Sequence, residues 1–237
     1  MQPLVKVYQH PNPLFMESFD DILTKLITGE EQKEGAQVLA FCGSDPGVGT
    51  TTVVINLAIS FSLAQRKVLL IDEDMRKVRT RKHLSSNSLV GLSDYLQGDI
   101  ELQEILCKTN YPNLEYLPGG NSTDHPQRLL GSGKFKQLME RLARDYDYIL
   151  IDTPSIAAAN DLAAIASMTD RVFAIAEPNR SRKKNLANIW RALGNDADEK
   201  IDGVIVNKVD GREYRSYRMY YDYFDKKQNL MRKRKKS

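Results

Sequence analysis

Residues 41–52 (Phe-Cys-Gly-Ser-Asp-Pro-Gly-Val-Gly-Thr-Thr-Thr) place a glycine-rich turn between an apolar run and a helical pattern. The preceding run, residues 37–41, is typical of a buried strand, and residues 53–59 continue as an apolar helix. In this order the glycines allow several backbone amides to point into one concavity, and the helix N-terminus adds a partial positive charge. The stretch therefore predicts a phosphate-binding loop after the first long strand of an α/β sheet.

The usual form of this loop is Gly-x-x-x-x-Gly-Lys-Ser/Thr, in which the lysine reaches the β and γ phosphates and the hydroxyl binds magnesium. Gly49 and Thr51 occupy their positions, but Thr50 stands at the lysine position and Ser44 at that of the first glycine. A shift in register supplies no lysine, because residues 34–66 contain none. The sequence predicts a nucleotide site without its main phosphate-binding charge. Its expected nucleotide-binding residues are Gly47, Val48, Gly49, Thr50, Thr51 and Thr52.

The remaining apolar segments predict an α/β fold with a parallel sheet, because continuous apolar strands that alternate with helices are covered on both faces. Further strands are expected at residues 67–72, 114–117, 148–152, 171–176 and 203–207. Helices are expected at residues 14–27, 91–98, 133–144, 157–168 and 181–193. We divide the chain into an N-terminal arm and helix (1–35), one nucleotide-binding domain (36–209) and a C-terminal tail (210–237).

Polar side chains at the strand ends are expected to converge, because ligands of such sheets bind beyond the carboxyl ends of the strands. Asp72, Asp74, Asp152 and Asn207 all lie at such ends. Magnesium prefers carboxylate, phosphate and water oxygens, so Thr51, Asp74 and Asp152 would supply its protein ligands. Asp72 or Asp74 could orient or deprotonate an attacking hydroxyl. The alternative is that each aspartate only caps the following helix.

Three segments resemble the bacterial tyrosine kinases that control capsule and exopolysaccharide export, a phosphate-loop family related to partitioning ATPases of the MinD and ParA type. Residues 71–77 (Ile-Asp-Glu-Asp-Met-Arg-Lys) are similar to their Asp-x-Asp-Met-Arg-Lys segment, which is the most specific of the three. Residues 91–98 resemble their Gly-Leu-Ser-x-x-Leu-x-Gly segment. Residues 147–154 resemble their Tyr-Asp-x-Ile-Ile-Asp-Thr-Pro-Pro segment.

The resemblance implies a site for ATP and Mg²⁺. It implies magnesium contacts for Thr51, Asp74 and Asp152, and it makes Asp74 the better candidate than Asp72 for activating a tyrosine hydroxyl. It also implies that Asn207 faces the adenine and that a separate membrane-anchored adaptor, a polysaccharide co-polymerase, activates the kinase. The family often carries Glu-x-x-Arg-x-x-Arg in its first helix for ring assembly. Here Glu17 is followed by Asp20 and Leu23, so we expect no ring held by these arginines, and other self-association stays open.

The C-terminal tail combines tyrosines with positive charge. Residues 210–237 contain ten Lys and Arg against four Asp and Glu, a balance of +6, so the other 209 residues carry 3 − 6 = −3. By the resemblance, the tail is the autophosphorylated substrate; the alternative is an aromatic segment that packs in a groove. The basic end at residues 231–236 could attract an anionic membrane or remain solvated, and we do not expect nucleic acid as a partner. The candidate phosphorylation sites are Tyr214, Tyr217, Tyr220, Tyr221 and Tyr223.

Composition favours a cytoplasmic protein. Its two cysteines form no disulfide framework, and no apolar run approaches the roughly 20 residues of a membrane span. Peripheral attachment to the membrane through a partner is compatible with this. Three functions remain open: an autophosphorylating tyrosine kinase of surface polysaccharide production, a catalytically impaired regulator with the same fold, and a positioning ATPase of the septum-site or pilus-localisation type.

Overall fold

A computed structural model describes residues 3–8, 13–28, 34–76, 90–98 and 100–210. The strands among these residues are β1 (Leu4–Val5), β2 (Gln37–Gly43), β3 (Val68–Asp72), β4 (Cys107–Thr109), β5 (Leu114–Leu117), β6 (Tyr148–Thr153), β7 (Arg171–Ala176) and β8 (Ile201–Val206). The helices are α1 (Pro13–Thr28), α2 (Thr50–Leu63), α3 (Leu92–Gln97), α4 (Leu102–Ile105), α5 (Pro126–Leu130), α6 (Gly133–Leu142), α7 (Leu162–Ile165), α8 (Lys183–Leu193) and α9 (Ala197–Lys200). Short 3₁₀ turns follow α7 and α8, at Ala166–Met168 and Gly194–Asp196.

The eight strands form one sheet in the order β1-β4-β5-β3-β6-β2-β7-β8. The six strands from β5 to β8 in this order are parallel, as predicted, and β1 is parallel to β4. Strand β4 runs antiparallel to β5. The predicted α/β class with a parallel sheet is therefore confirmed, and two short strands at one edge are added to it.

The central strand β2 shows why the sheet is covered on both faces. Val38, Ala40 and Cys42 belong to a core that includes α5 to α8, whereas Leu39 and Phe41 belong to a second core with α1 and α2. Successive side chains of a strand point to opposite faces, so a strand buried on both sides reads as a continuous apolar run. Because these strands are parallel, the carboxyl ends of β2, β3 and β6 lie next to one another on the same side of the sheet.

The N-terminal segment contains a short strand that the sequence analysis did not identify: Leu4–Val5 pair with β4, and Val5 is buried. One local prediction was wrong. The helix expected over residues 157–168 is reduced to α7 and its 3₁₀ turn. Before α7, the amides of Ala158 and Ala159 donate to the Ser155 carbonyl, so the alanines close a turn. Alanine propensity is overridden there by the turn after β6.

Within the described ranges, no helix combines the length and apolar character that crossing a bilayer requires. Residues 77–89 and the tail from residue 211 onwards lie outside the described residues. The proposed division at residues 35 and 209 therefore stays a prediction.

Candidate functional site

The turn between β2 and α2, residues 44–49, is called the phosphate loop below. Gly47 has φ +81° and Gly49 has φ +93°, a left-handed backbone that glycine adopts without the penalty of a Cβ atom. Gly49 is the N-cap of the 14-residue helix α2. The amides of the first turn, residues 50–52, lack acceptors within a helix, and the helix dipole makes this end electropositive. The loop therefore has the backbone of an anion site.

Thr50, at the position of the usual lysine, directs its hydroxyl back against β2. A Cβ atom at Gly43 would overlap the Thr50 Oγ1 and would lie 3.0 Å from Val48 Cγ2, so only glycine fits at the end of β2. Ser44, at the position of the usual first glycine, is buried, and its hydroxyl donates to Ser181 Oγ at 2.7 Å. Both departures from the usual pattern are thus accommodated by local contacts.

Three of the predicted site aspartates come together at the edge of the sheet. Asp72 is the register partner of Asp152 across β3 and β6, and Asp152 is in turn the partner of Phe41 in β2. Asp72 Oδ1 accepts the backbone amide of Asp74 at 3.1 Å, and Asp72 Oδ2 accepts the Tyr116 hydroxyl at 3.3 Å. Asp72 and Asp152 are buried, whereas Asp74 is half-buried and is therefore the most accessible of the three carboxylates.

The other predicted residues lie on the loop and its helix or next to them. Thr51 and Thr52 are the second and third residues of α2, and the side-chain Nδ2 of Asn56 donates to the Thr52 carbonyl at 2.8 Å. Asn207 follows β8, and its side-chain Nδ2 donates to the Val48 carbonyl at 2.9 Å. This bond turns the side-chain nitrogen of Asn207 towards the loop. The side-chain oxygen of Asn207 is then the atom that could accept a hydrogen bond from a ligand. The five tail tyrosines lie outside the described residues.

Arg76 forms an ion pair with Asp161. Its guanidinium contacts both carboxylate oxygens of Asp161, with 2.6 Å between Nη2 and Oδ1. Asp161 is 1% exposed and precedes α7. Hydrogen bonding to Asp161, opposed by burial, raises the pKa of Arg76. The pair ties the segment after β3 to the loop after β6.

Glu73 is a buried carboxyl group that the sequence pattern did not single out. Its side chain is 0% exposed, and among the described residues neither carboxyl oxygen has a hydrogen-bond partner. Burial raises the pKa of Glu73 well above its ordinary value, and Asp161 raises it further, whereas Arg76 lowers it. Its position between Asp72 and Asp74 was visible in the sequence. Its burial was not, because burial depends on tertiary packing that no local sequence pattern marks.

The residues present fit a magnesium–nucleotide complex. A Cβ at Gly47 would meet the Arg180 side chain, and a Cβ at Gly49 would meet the Asn207 side chain. These two side chains therefore pack directly against the loop backbone. In the described part of the chain, no group of three or more acidic, histidine or cysteine side chains could hold a metal by itself. Mg²⁺ usually needs only one or two carboxylates, with phosphate and water oxygens completing its octahedron. Thr51, Asp74 and Asp152 are the residues that would supply these protein ligands.

Several known proteins resemble this chain in sequence or in fold. A family model described as an AAA domain matches residues 36–197. The chain is 34% identical to the tyrosine-protein kinase CpsD of Streptococcus agalactiae over 209 residues, which is 87% of this chain and 87% of that protein. The kinase domain of the Escherichia coli tyrosine kinase ETK has a TM-score of 0.76 at 26% identity, covering 83% of this chain and 76% of that chain.

A more distant similarity concerns the fold alone. The septum site-determining protein MinD of Pyrococcus horikoshii OT3, solved in complex with Mg-ADP, has a TM-score of 0.58 at 24% identity. The match covers 75% of this chain and 72% of that chain. A related fold therefore occurs in a protein that was solved with Mg-ADP.

Proposed function

The chain belongs to the AAA-domain family and, within it, to the bacterial tyrosine-protein kinases, and from this premise we propose that it transfers phosphate from ATP to tyrosine. One observation carries the proposal: Asp72 and Asp152 are in register at the same edge of the sheet that the phosphate loop follows. Phosphoryl transfer depends mainly on positioning and electrostatic stabilisation, and this edge gathers the groups that both require.

The nucleotide phosphates would be held by the amides of Gly47 and Gly49 and by the first turn of α2, residues 50–52. Mg²⁺ would be held by the Thr51 hydroxyl, Asp74 and Asp152, and when bound it neutralises charge on the phosphate oxygens. The side-chain oxygen of Asn207 would accept a hydrogen bond from the exocyclic amine of adenine, because its nitrogen is committed to Val48.

The acceptor would be a tyrosine hydroxyl of the tail: Tyr214, Tyr217, Tyr220, Tyr221 or Tyr223. Its proton would pass to Asp74, its oxygen would form the new bond to the γ phosphorus, and ADP would leave as the old bond breaks. Asp74 is better suited to this than Asp72, because Asp72 is buried and already accepts two hydrogen bonds. Each added phosphate would bring about −1.5 to −2 charge to the basic tail.

The cellular role proposed is control of capsule or exopolysaccharide production from the cytoplasmic face of the membrane. A membrane-anchored adaptor would recruit the protein, and the basic end of the tail could add attraction to anionic lipid. A second candidate is a regulator that binds nucleotide without transferring phosphate. The Thr50 hydroxyl at the lysine position favours this alternative, since a cation there stabilises the transferred phosphoryl group.

The test is incubation of the purified full chain with ATP and Mg²⁺, followed by mass spectrometry of the tail. Phosphotyrosine that is lost in Asp74→Asn and retained in Asp198→Asn, an exposed carboxylate of α9, would support the kinase. Phosphotyrosine that forms only when an active relative is added would support the regulator. ATP-dependent dimerisation without any phosphotyrosine would indicate a positioning ATPase instead.

A further inference from the structure

Three consecutive carbonyls of the phosphate loop accept hydrogen bonds from side chains that lie far away in the sequence. The Pro46 carbonyl accepts Arg180 Nη2 at 2.8 Å, and the Gly47 carbonyl accepts Lys208 Nζ at 2.6 Å. The Val48 carbonyl accepts Asn207 Nδ2 at 2.9 Å. These three side chains are called the carbonyl clamp. They reach the loop from the segment after β7 and from the end of β8.

The clamp determines which way the loop amides face. A peptide bond is planar and trans, so a carbonyl and the following N–H point in opposite directions. Holding the carbonyls of Pro46 and Val48 outwards therefore turns the amides of Gly47 and Gly49 to the other side of the loop. The backbone amide of Val48, which lies between them, donates to the Asp45 carbonyl at 3.5 Å and so closes a turn. The clamp thus presents the two glycine amides that a phosphate would use.

Further contacts fix the clamp in place. Glu177 Oε2 lies 2.8 Å from Lys208 Nζ and 3.6 Å from Arg180 Nη1. Lys208 has φ +58°, a left-handed backbone that a residue with a Cβ keeps only when its surroundings determine it. The start of the loop is anchored beside the clamp, because Asp45 accepts the Arg182 amide at 3.1 Å and Asn185 Nδ2 at 2.6 Å.

The clamp also carries charge. Arg180 and Lys208 contribute two positive charges and Glu177 one negative charge, so these three side chains together carry 2 − 1 = +1. The usual lysine would contribute one positive charge at Thr50. Both cationic side chains are about half exposed, so added salt should weaken their electrostatic effect on the loop.

We propose that Arg180 and Lys208 are positioning residues that hold the phosphate loop open for phosphate and offset the missing lysine at Thr50. The inference deepens the proposed function, because it rests on nucleotide binding at this loop. Its structural part, the ordering of the loop, does not require any nucleotide to be bound.

The test compares Lys208→Met with Lys184→Met in the full chain. Both substitutions remove one ammonium group, but Lys184 is exposed on α8 and its side chain makes no contact with the loop carbonyls. Without nucleotide, amide exchange of residues 45–50 should be about fivefold faster in Lys208→Met, with core strands unchanged. The affinity for Mg-ATP should fall about tenfold in Lys208→Met and stay unchanged in Lys184→Met.

A double variant separates charge compensation from a general structural effect. Thr50→Lys should strengthen Mg-ATP binding more in the Lys208→Met background than in the wild type, because the two cations substitute for one another. Equal strengthening in both backgrounds would overturn the compensation. Equal loop exchange in Lys208→Met and Lys184→Met would overturn the clamp itself. If the wild type binds no nucleotide, the proposed function fails, and the exchange experiment still decides whether the clamp orders the loop.

Discussion

Asp72 and Asp152 are direct register partners across β3 and β6, so two buried carboxylates end neighbouring strands side by side. Neighbouring strands lie about 4.8 Å apart, and like charges at such separations are costly unless a cation or hydrogen bonds compensate them. Asp72 has compensation from the Tyr116 hydroxyl and the Asp74 amide. Asp152 stands closest to the phosphate-loop strand, as the partner of Phe41, and this placement suits it to a magnesium ion.

We therefore expect Asp152→Asn to remove the effect of magnesium on nucleotide binding. An amide keeps the size of the side chain but supplies no negative charge for Mg²⁺, so ATP affinity with Mg²⁺ should fall to its value without the metal. Phosphate transfer should fall by about 100-fold or more, since the loss acts on the transition state. Calorimetric titration with and without Mg²⁺ measures the first effect. An undiminished magnesium effect in Asp152→Asn would exclude this residue as a ligand.

The close approach of Gly43 to Thr50 predicts a coupled pair of substitutions. Gly43→Ala should lower the free energy of unfolding by about 1–3 kcal/mol, because the new methyl group overlaps the Thr50 hydroxyl. In a Thr50→Ala background the cost should be smaller, since the remaining contacts, with Val48 Cγ2 at 3.0 Å and the Asp45 carbonyl oxygen at 3.5 Å, are less severe. Denaturant unfolding of the four proteins measures the coupling. Identical costs in both backgrounds would show that Thr50 does not occupy this space.

The ion pair between Arg76 and Asp161 predicts an asymmetric loss of stability. Arg76→Met leaves Asp161 buried without its partner and should cost about 3–5 kcal/mol in the free energy of unfolding. Asp161→Asn should cost less, because Arg76 is 30% exposed and its charge can reach water. Urea unfolding of both variants provides the comparison. A loss below about 1 kcal/mol for Arg76→Met would mean that the pair does not persist in solution.

Glu73 predicts a pH dependence whose sign follows from its raised pKa. In the unfolded chain Glu73 ionises above its ordinary pKa of 4.5, whereas in the folded protein it keeps its proton to much higher pH. The unfolded state is therefore favoured increasingly as the pH rises above 4.5, and Glu73 lowers stability towards neutral pH. Asp161, Asp74, Asp72 and Arg76 are the charged groups that act on it.

The corresponding experiment uses Glu73→Gln, which cannot ionise, in buffers without Mg²⁺. The difference in melting temperature between Glu73→Gln and the wild type should increase in favour of the variant from pH 4.5 towards neutral pH. Asp198→Asn, at an exposed position of α9, serves as the control that should show no such trend. If the melting temperatures of Glu73→Gln and the wild type differed by the same amount at every pH, Glu73 could not be both buried and protonated in the folded protein.

The sheet and the phosphate loop were predictable from sequence because their signals are local. A strand buried on both faces needs a continuous apolar run, and the left-handed backbone at Gly47 and Gly49 needs glycine. The strand-end position of Asp72 and Asp152 followed from the same runs. Their expected convergence needed only the general rule for the carboxyl ends of parallel strands, whereas their exact register partnership came from the structure.

The carbonyl clamp could not be predicted in this way. Arg180 and Lys208 lie 134 and 161 residues from the carbonyls that they contact, and no local pattern marks them. The turn before α7 was missed for a related reason, since its backbone bonds to Ser155 override the preference of alanine for helix. Long-range contacts of polar side chains therefore decide the parts of the site that the sequence left open.

In the proposed function, the phosphate loop and the strand-end carboxylates form one magnesium–nucleotide site. Equilibrium dialysis of the full chain against radiolabelled ATP tests it most directly. We expect saturable binding of one ATP per chain that requires Mg²⁺ and is weakened in Asp152→Asn but not in Asp198→Asn. Absence of saturable ATP binding at any magnesium concentration, or equal binding by both variants and the wild type, would contradict it.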